Sequence, residues 1–445
     1  MGSSRRTRSH GEHGYGLFTV AVSRVQRLTP SYVRVSLTGP ALRYAAYPIA
    51  SGGLGSTTTT DRMQPSAAAE VTAGECESYR GVLDGYIKLL IPPASDRDEL
   101  GRIRALHTEP VQITLDDSWR TTWFALPESE RGWMRTYTLR ASRLRVPDVA
   151  LEAVCAALPA HPEVPTALSR PARRLEDAVN GVPEGALPEV DVDFVLHAEK
   201  DADGVERMGP GATWASQARV GDRASLLAPL YGYPLWASWS AAGAQRIILA
   251  ADETAVPAVL SILAEYAAEY AECARESGSP ELPEGKTGPI FDVLVEVPER
   301  GDTVEALWSY AYPQLPEVAD LPNVRVHWCA RGQDGAAKER GSALATSLRH
   351  LLGVEETGVP ATQSPEATRA PGAASSGKAA EAGEPAEELE VLWGLADQQN
   401  PQRYVFIAGE SSTVKALRRI CVNEALIPKN EVSFMGYWRV GRTES

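Results

Sequence analysis

What this sequence lacks narrows its chemistry first. Its five cysteines, Cys76, Cys155, Cys273, Cys329 and Cys421, are scattered and form no C-x-x-C pair. An iron–sulfur cluster needs four gathered thiolates and a structural zinc site needs similar spacing, so the pattern supports neither. An odd count fits reduced thiols better than a disulfide framework. The seven histidines form no metal-binding pair on one helix face, and only His10 and His13 fall close together. Redox chemistry in such a chain calls for an organic cofactor.

Long apolar runs are missing too. No stretch approaches the roughly 20 apolar residues that cross a bilayer. No apolar segment follows the basic residues of "MGSSRRTRSHGEHGYG", as it does in a secretory signal. A cytoplasmic location without a membrane partner is the expectation. Basic residues are outnumbered, 44 against 58 acidic, for a net charge of −14. That argues against a nucleic-acid partner, which asks for a basic balance or stripe, and leaves room for a local basic pocket. The strand-to-helix turn "ADETAVPA" (251–258) contains no G-x-G-x-x-G fingerprint.

The 445 residues, 43% of them hydrophobic, suffice for two or three domains with real cores. Residues 1–16 read as a flexible tail. Two β-rich runs split by "LTPS" then predict a hairpin, and strand-like segments recur at "DGYIKLLIPP", "PVQITLDD", "MRTYTLR" and "VDVDFVLHA". Polar, Gly/Thr/Ala-rich sequence at about 51–80 reads as a flexible insertion. Residues 147–188, rich in Pro, Ala and Glu, read as a connection. This half, 17–238, is expected to be an antiparallel β-barrel. From residue 243 the pattern becomes strand, turn, helix. Val256, Val259, Leu260 and Leu263 sit at helical spacing, and "RYVFIAGESSTVKALRRICVNEAL" repeats the plan. Residues 243–441 therefore predict a doubly wound parallel α/β domain, with a disordered insertion at about 355–389.

Two segments carry candidate chemistry. "GWMRTYTLR" (132–140) alternates so that Arg135, Tyr137 and Leu139 share one strand face, and Thr136, Thr138 and Arg140 the other. An arginine fork clamps phosphate, a tyrosine stacks on a flat heterocycle, and a neighbouring hydroxyl bonds a ring nitrogen or carbonyl. A flavin dinucleotide requires all three, although a solvated edge strand fits the same letters. "MGPGATWASQARVGD" (208–222) places Gly209, Pro210, Gly211, Ala212 and Thr213 in a small-residue turn before a short helix. Backbone amides there can cradle an anion at the positive helix end, while many such turns are only turns.

Together with "VQRLTPSYVRVSLTGP" (26–40), "DGYIKLLIP" (84–92), "VDVDFVLHA" (190–198), "IILAADETAVPAVLSIL" (247–263), "FIAGESSTVKALRRICVNE" (406–424) and "GYWRVG" (436–441), these segments resemble the siderophore-interacting protein family. That family is a branch of the ferredoxin-reductase-like flavoproteins. The resemblance implies a Greek-key barrel holding FAD, an α/β domain taking NAD(P)H, and reduction of a ferric siderophore. It implies that Arg135 contacts the FAD phosphates, Tyr137 stacks on the isoalloxazine and Thr138, beside Thr136, bonds the flavin ring. It also implies that Gly209 to Trp214, including Gly211, Ala212 and Thr213, wrap the pyrophosphate, with His197 near the cofactor. Alanine follows that histidine where the family usually has glycine.

The resemblance assigns "ADETAVPA" to the nicotinamide side, with Thr254 as a contact, while Asp252 and Glu253 also suit a helix N-terminus as dipole partners. The resemblance also implies that Lys88 lines a basic pocket for an anionic ferric chelate. Arg331 is a candidate for a 2′-phosphate or an ordinary solvated arginine. Trp438 and Tyr437 either cover the flavin or close the core. Lys415, Arg418 and Arg419 read as a solvated helix face. Two other functions stay open: an NAD(P)H:flavin or electron-transfer reductase with a protein acceptor, and a siderophore-binding protein without redox activity.

Overall fold

The computed structural model describes residues 14–46, 84–165, 185–196, 198–200, 206–231, 233–239, 241, 243–277, 288–303, 306–308, 315–331, 339–354, 393–396 and 402–439. The insertions expected at about 51–80 and 355–389, His10, His13 and His197 lie outside the described residues.

The first half forms a closed six-stranded barrel in the order β1-β10-β3-β6-β7-β2, every pair antiparallel. Its strands are β1 (Tyr15–Arg27), β2 (Tyr32–Thr38), β3 (Tyr86–Ile91), β6 (Trp133–Arg145), β7 (Leu187–Val195) and β10 (Arg223–Pro229). β1 begins inside the expected tail. β2 pairs with β7 and not with β3, which follows it, so the chain crosses over in the Greek-key manner. Two small hairpins, β4 (Ala94–Arg97) with β5 (Ile103–Leu106) and β8 (Ala198–Lys200) with β9 (Glu206–Met208), flank it.

Alternation along the strands fills the barrel: Phe18, Val20, Val35, Ile87, Leu89 and Val192 point inward and are buried. The expected strand at "PVQITLDD" is a correction, because residues 111–115 run as irregular chain. Ile113 and Leu115 pack there under Trp119 and Trp123 of helix α1 (Trp119–Ala125), and the Leu115 amide donates to Glu163 at 2.9 Å. A helical turn α2 (Glu128–Arg131) follows, and α3 (Val149–Ala156) lies within the expected connection, capped by Asp148 at 2.9 Å.

The outer face of β7 is charged and buried. Arg34 grips Asp193 bidentately at 2.7 and 2.8 Å, and Arg140 reaches the same carboxylate at 3.0 Å. Arg143 holds Asp191 at 2.7 and 2.8 Å, and Arg145 pairs with Glu189 at 3.0 Å. Burial raises the Asp191 carboxyl, but Arg143 and Arg34 outweigh it and hold the group well below the usual range.

The second half is a six-stranded sheet, β13-β12-β11-β15-β16-β14, with five parallel strands and an antiparallel edge. They are β11 (Arg246–Ala251), β12 (Ile290–Val297), β13 (Val324–Ala330), β14 (Trp393–Gly394), β15 (Arg403–Glu410) and β16 (Val432–Trp438). Helix α4 (Pro210–Gln217) precedes β10, and α5 (Val256–Ser277) follows β11. On β11, Ile247, Leu249 and Ala251 pack toward α5. Ile248 and Ala250 pack toward α6 (Ser342–Leu352) and α7 (Ser411–Arg419) on the opposite side. Helices thus cover both faces. The chain runs outward from β11 to β13, then returns to β15 on the other flank. That reversal opens a crevice beyond the carboxyl ends of β11 and β15.

Candidate active site

Two segments far apart in sequence meet at the barrel end. Arg135 and Tyr137 of β6 lie opposite Leu89 and Ile87 of β3, so they share the inward row. The Tyr137 ring stands 4.4 Å from Phe194, which stands 5.4 Å from Trp214 of α4. Trp214 and Ala215 pack into the barrel core, so α4 is docked by its own apolar residues. A Cβ built at Gly211 would lie 1.8 Å from the Tyr137 hydroxyl. Glycine is therefore what lets that hydroxyl rest on the first turn of the helix.

The helix opens as an anion acceptor should. Pro210 occupies its first turn, and the Gly209 carbonyl accepts the Thr213 amide at 2.9 Å. The amides of Gly211 and Ala212 have no acceptor four residues back within the helix. Gly209 is exposed, and nothing lies within 4 Å of where its Cβ would be. An open turn of amides beside a strand arginine and a tyrosine plate fits a flavin dinucleotide. Of the six residues expected to wrap the pyrophosphate, Trp214 packs its ring into the barrel core, and Thr213 is buried.

The outward row carries the other expected residues. Thr136 lies opposite Lys88, whose Nζ donates to its hydroxyl and stands 5.8 Å from the Tyr86 ring. Thr138 is hydrogen-bonded to the Tyr437 side chain. The Tyr437 hydroxyl is pushed up by burial first and then by the charge of Asp84, which keeps it protonated.

Trp438, next in the chain, lies opposite Glu410 at the carboxyl end of β16, the crevice end of the sheet. The crevice is lined by carboxylates. Asp252 accepts the Thr254 hydroxyl at 2.6 Å, the Thr254 amide at 2.9 Å and the Glu410 amide at 2.6 Å. It thereby ties β11 to β15, and a Cβ at Gly409 (φ 144°) would lie 2.5 Å from its carboxyl. Burial, then the charge of Glu253, pushes the Asp252 carboxyl up to about 6. The expected nicotinamide contact Thr254 is thus engaged with Asp252.

Arg331 is an ion-paired arginine and not a freely solvated one: both its Nη atoms hold Glu253 at 2.7 Å, and one reaches Glu296 at 3.1 Å. Buried carboxylates demand such a partner more strongly than solvent competes for it. Arg340 also pairs with Glu253 and lies over the Trp438 ring at 4.6 Å. "KERGS" gave no sign of that role, and neither did Tyr437 as the bridge to Thr138. Lys415 and Arg419 are exposed, and Arg418 lies over Phe434 at 4.7 Å. Among the described residues, no three His, Cys, Asp or Glu side chains gather to hold a metal ion. No helix among them is long and apolar enough to cross a membrane.

Comparison with known proteins places these parts. Residues 178–233 match the siderophore-interacting FAD-binding domain, and residues 292–441 match the siderophore-interacting protein family. The chain is similar to the siderophore-interacting protein from Acinetobacter baumannii, at 16% identity and TM-score 0.41, over 97% of this chain and 92% of that one. It is similar to SipS, a siderophore-interacting protein from Aeromonas hydrophila, at 17% identity and TM-score 0.42, over 96% and 94%. A ferredoxin-NADP+ reductase mutant from Plasmodium falciparum is also similar, at 9% identity and TM-score 0.38, over 95% and 96%. The two family matches fall in chain order on the barrel's last strands with α4 and on the parallel sheet, so both halves of the chain carry a segment that matches siderophore-interacting proteins.

Proposed function

We propose that this protein is an FAD-dependent oxidoreductase that takes electrons from NADH or NADPH and reduces ferric iron held in siderophores. One observation carries the reading: the Tyr137 hydroxyl rests on Gly211, joining the flavin-type strand to an open helix N-terminus. Gly209, Gly211 and Ala212 would hold the pyrophosphate, with Arg135 on the phosphates and Tyr137, Thr136 and Thr138 on the ring side. Bound FAD would supply two-electron acceptance and one-electron release. The chain's own task is positioning, and no side-chain acid or base is required. Lys88, beside Thr136 on the outward row, would offer its positive charge to an anionic ferric chelate. Ferrous iron is held much more weakly by hard-oxygen chelators, so reduction releases it. Residues 17–238 would carry the flavin and 243–441 the nucleotide, in the cytoplasm.

The visible spectrum of the purified protein tests this, with chromatography of any flavin released by heat. Near-equimolar FAD, bleached by NADH or NADPH without oxygen and restored by a ferric siderophore, is the expected result. A colourless protein that does not take up added FAD ends the proposal. Gly211→Ala, whose new methyl displaces the Tyr137 hydroxyl, should lose FAD retention and about 1–3 kcal/mol of stability. If that variant keeps its flavin as the parent does, the Tyr137–Gly211 contact is not the site.

A further inference from the structure

The crevice of the parallel sheet holds a charge arrangement that the flavin side does not use. Glu253 is fully buried and receives two arginines. Arg331 alone satisfies it, with both carboxylate oxygens engaged at 2.7 Å. Glu296, the second carboxylate, has Arg331 at 3.1 Å and the Gly341 and Leu344 amides at 2.8 and 3.4 Å. Arg340 is therefore the guanidinium that can leave Glu253 without stranding a bare buried carboxylate. Its side chain is 21% exposed and lies over Trp438.

Two of the three helices that begin here, α6 and α7, have amides of the cap or first turn engaged by carboxylates. Glu296 accepts the amides of Gly341, which caps α6, and of Leu344 in its first turn, and Glu410 accepts those of Ser412 and Thr413 in α7 at 2.7 and 3.0 Å. In most nucleotide-binding sheets, an open helix N-terminus takes the phosphates. At α6 and α7 those positions carry the chain's own carboxylates, and the partly exposed Arg340 guanidinium stands beside them on Glu253.

We propose that Arg340 reads the pyrophosphate of the incoming pyridine dinucleotide, exchanging Glu253 for phosphate and releasing the face of Trp438. This rests on the reading of the sheet as the nucleotide side. A guanidinium fork suits a pyrophosphate in geometry and charge. The exchange makes Trp438 a built-in reporter, because the cation leaves its ring when the anion arrives.

Calorimetry on the FAD-loaded protein tests the assignment, using ADP-ribose as probe and adenosine as its phosphate-free counterpart. Arg340→Ala should weaken ADP-ribose about ten- to hundredfold, the effect of one charged hydrogen bond, and leave adenosine unchanged. Arg340→Lys, which keeps the charge and the ion pair, should recover part of the loss. It also carries the test if the alanine variant does not fold. ADP-ribose should shift tryptophan emission in the parent, and the shift should vanish in Trp438→Phe. Parent-like ADP-ribose affinity in either Arg340 variant overturns the inference while the nucleotide reading stands. If the parent protein binds neither ADP-ribose nor NAD(P)H, that reading fails and takes the inference with it.

Discussion

Between about pH 4 and 6, the folded protein holds a proton at Asp252 that the unfolded chain would release. Burial comes first and the charge of Glu253 second; together they lift its carboxyl from the usual 3.8 to about 6 against the opposing bonds from Thr254 and Glu410. The folded state therefore binds the proton more tightly than the unfolded one. The stabilisation is complete below about pH 4 and is lost as pH rises through about 6. Two pKa units correspond to about 3 kcal/mol. Asp191 works in the opposite sense, since its lowered carboxyl stabilises above the usual carboxylate range and loses that effect in acid. Asp252→Asn mimics the protonated side chain and leaves Asp191 untouched. Urea unfolding between about pH 4 and pH 7 should show the parent losing ground to this variant as pH rises. Parallel pH curves would remove Asp252 as the source.

At the scale of the element, β7 shows how one strand serves two environments. In "LPEVDVDFV" the residues Val190, Val192 and Phe194 enter the barrel core, and Glu189, Asp191 and Asp193 point outward. Those acids are buried all the same, because β2 and β6 set arginines against them and α5 closes over Arg140 through Ser261 at 3.1 Å and Pro257 at 3.4 Å. Replacing Asp193 by Ala would take the shared carboxylate from both Arg34 and Arg140, which are only 1% and 0% exposed. A loss of about 3–5 kcal/mol is expected, measured as a fall in the urea midpoint at unchanged slope. A shift well under that would mean that water replaces the carboxylate, so the ladder would not be a sealed one.

Across the whole molecule, the barrel and the sheet are joined by polar contacts that depend on matched loops. Asp302, after β12, accepts the Ser31 amide at 2.9 Å and the Thr29 hydroxyl in the first hairpin. The Tyr32 hydroxyl donates to the Glu253 carbonyl at 2.7 Å. Asp84 accepts the Ser238 amide at 2.7 Å and the Trp239 amide at 3.0 Å in the segment leading to the sheet. This docking brings Thr138 of the barrel to Tyr437, one residue from the crevice's Trp438. With Asp302→Ala, the hairpin loses its acceptor. Scanning calorimetry should then resolve two transitions where the parent shows one. A single parent-like transition would show that the remaining contacts suffice for docking.

Much of this was legible in the letters. The period-2 runs and the strand–turn–helix repeats identify a barrel followed by a parallel α/β sheet, because both patterns report which side of an element is apolar. "RTYT" and "GPGATW" likewise mark a strand and a turn suited to a flavin dinucleotide, since those residue types carry their chemistry with them. Partners were not legible. That Arg331 and Arg340 belong to Glu253, that Thr254 belongs to Asp252, and that "PVQITLDD" packs as irregular chain depend on segments dozens of residues away. So does the meeting of Tyr137 with Gly211. Periodicity is a property of the local chain. Which charge a buried arginine neutralises, and which glycine a hydroxyl can rest against, is decided only when distant segments close over one another and shut out water.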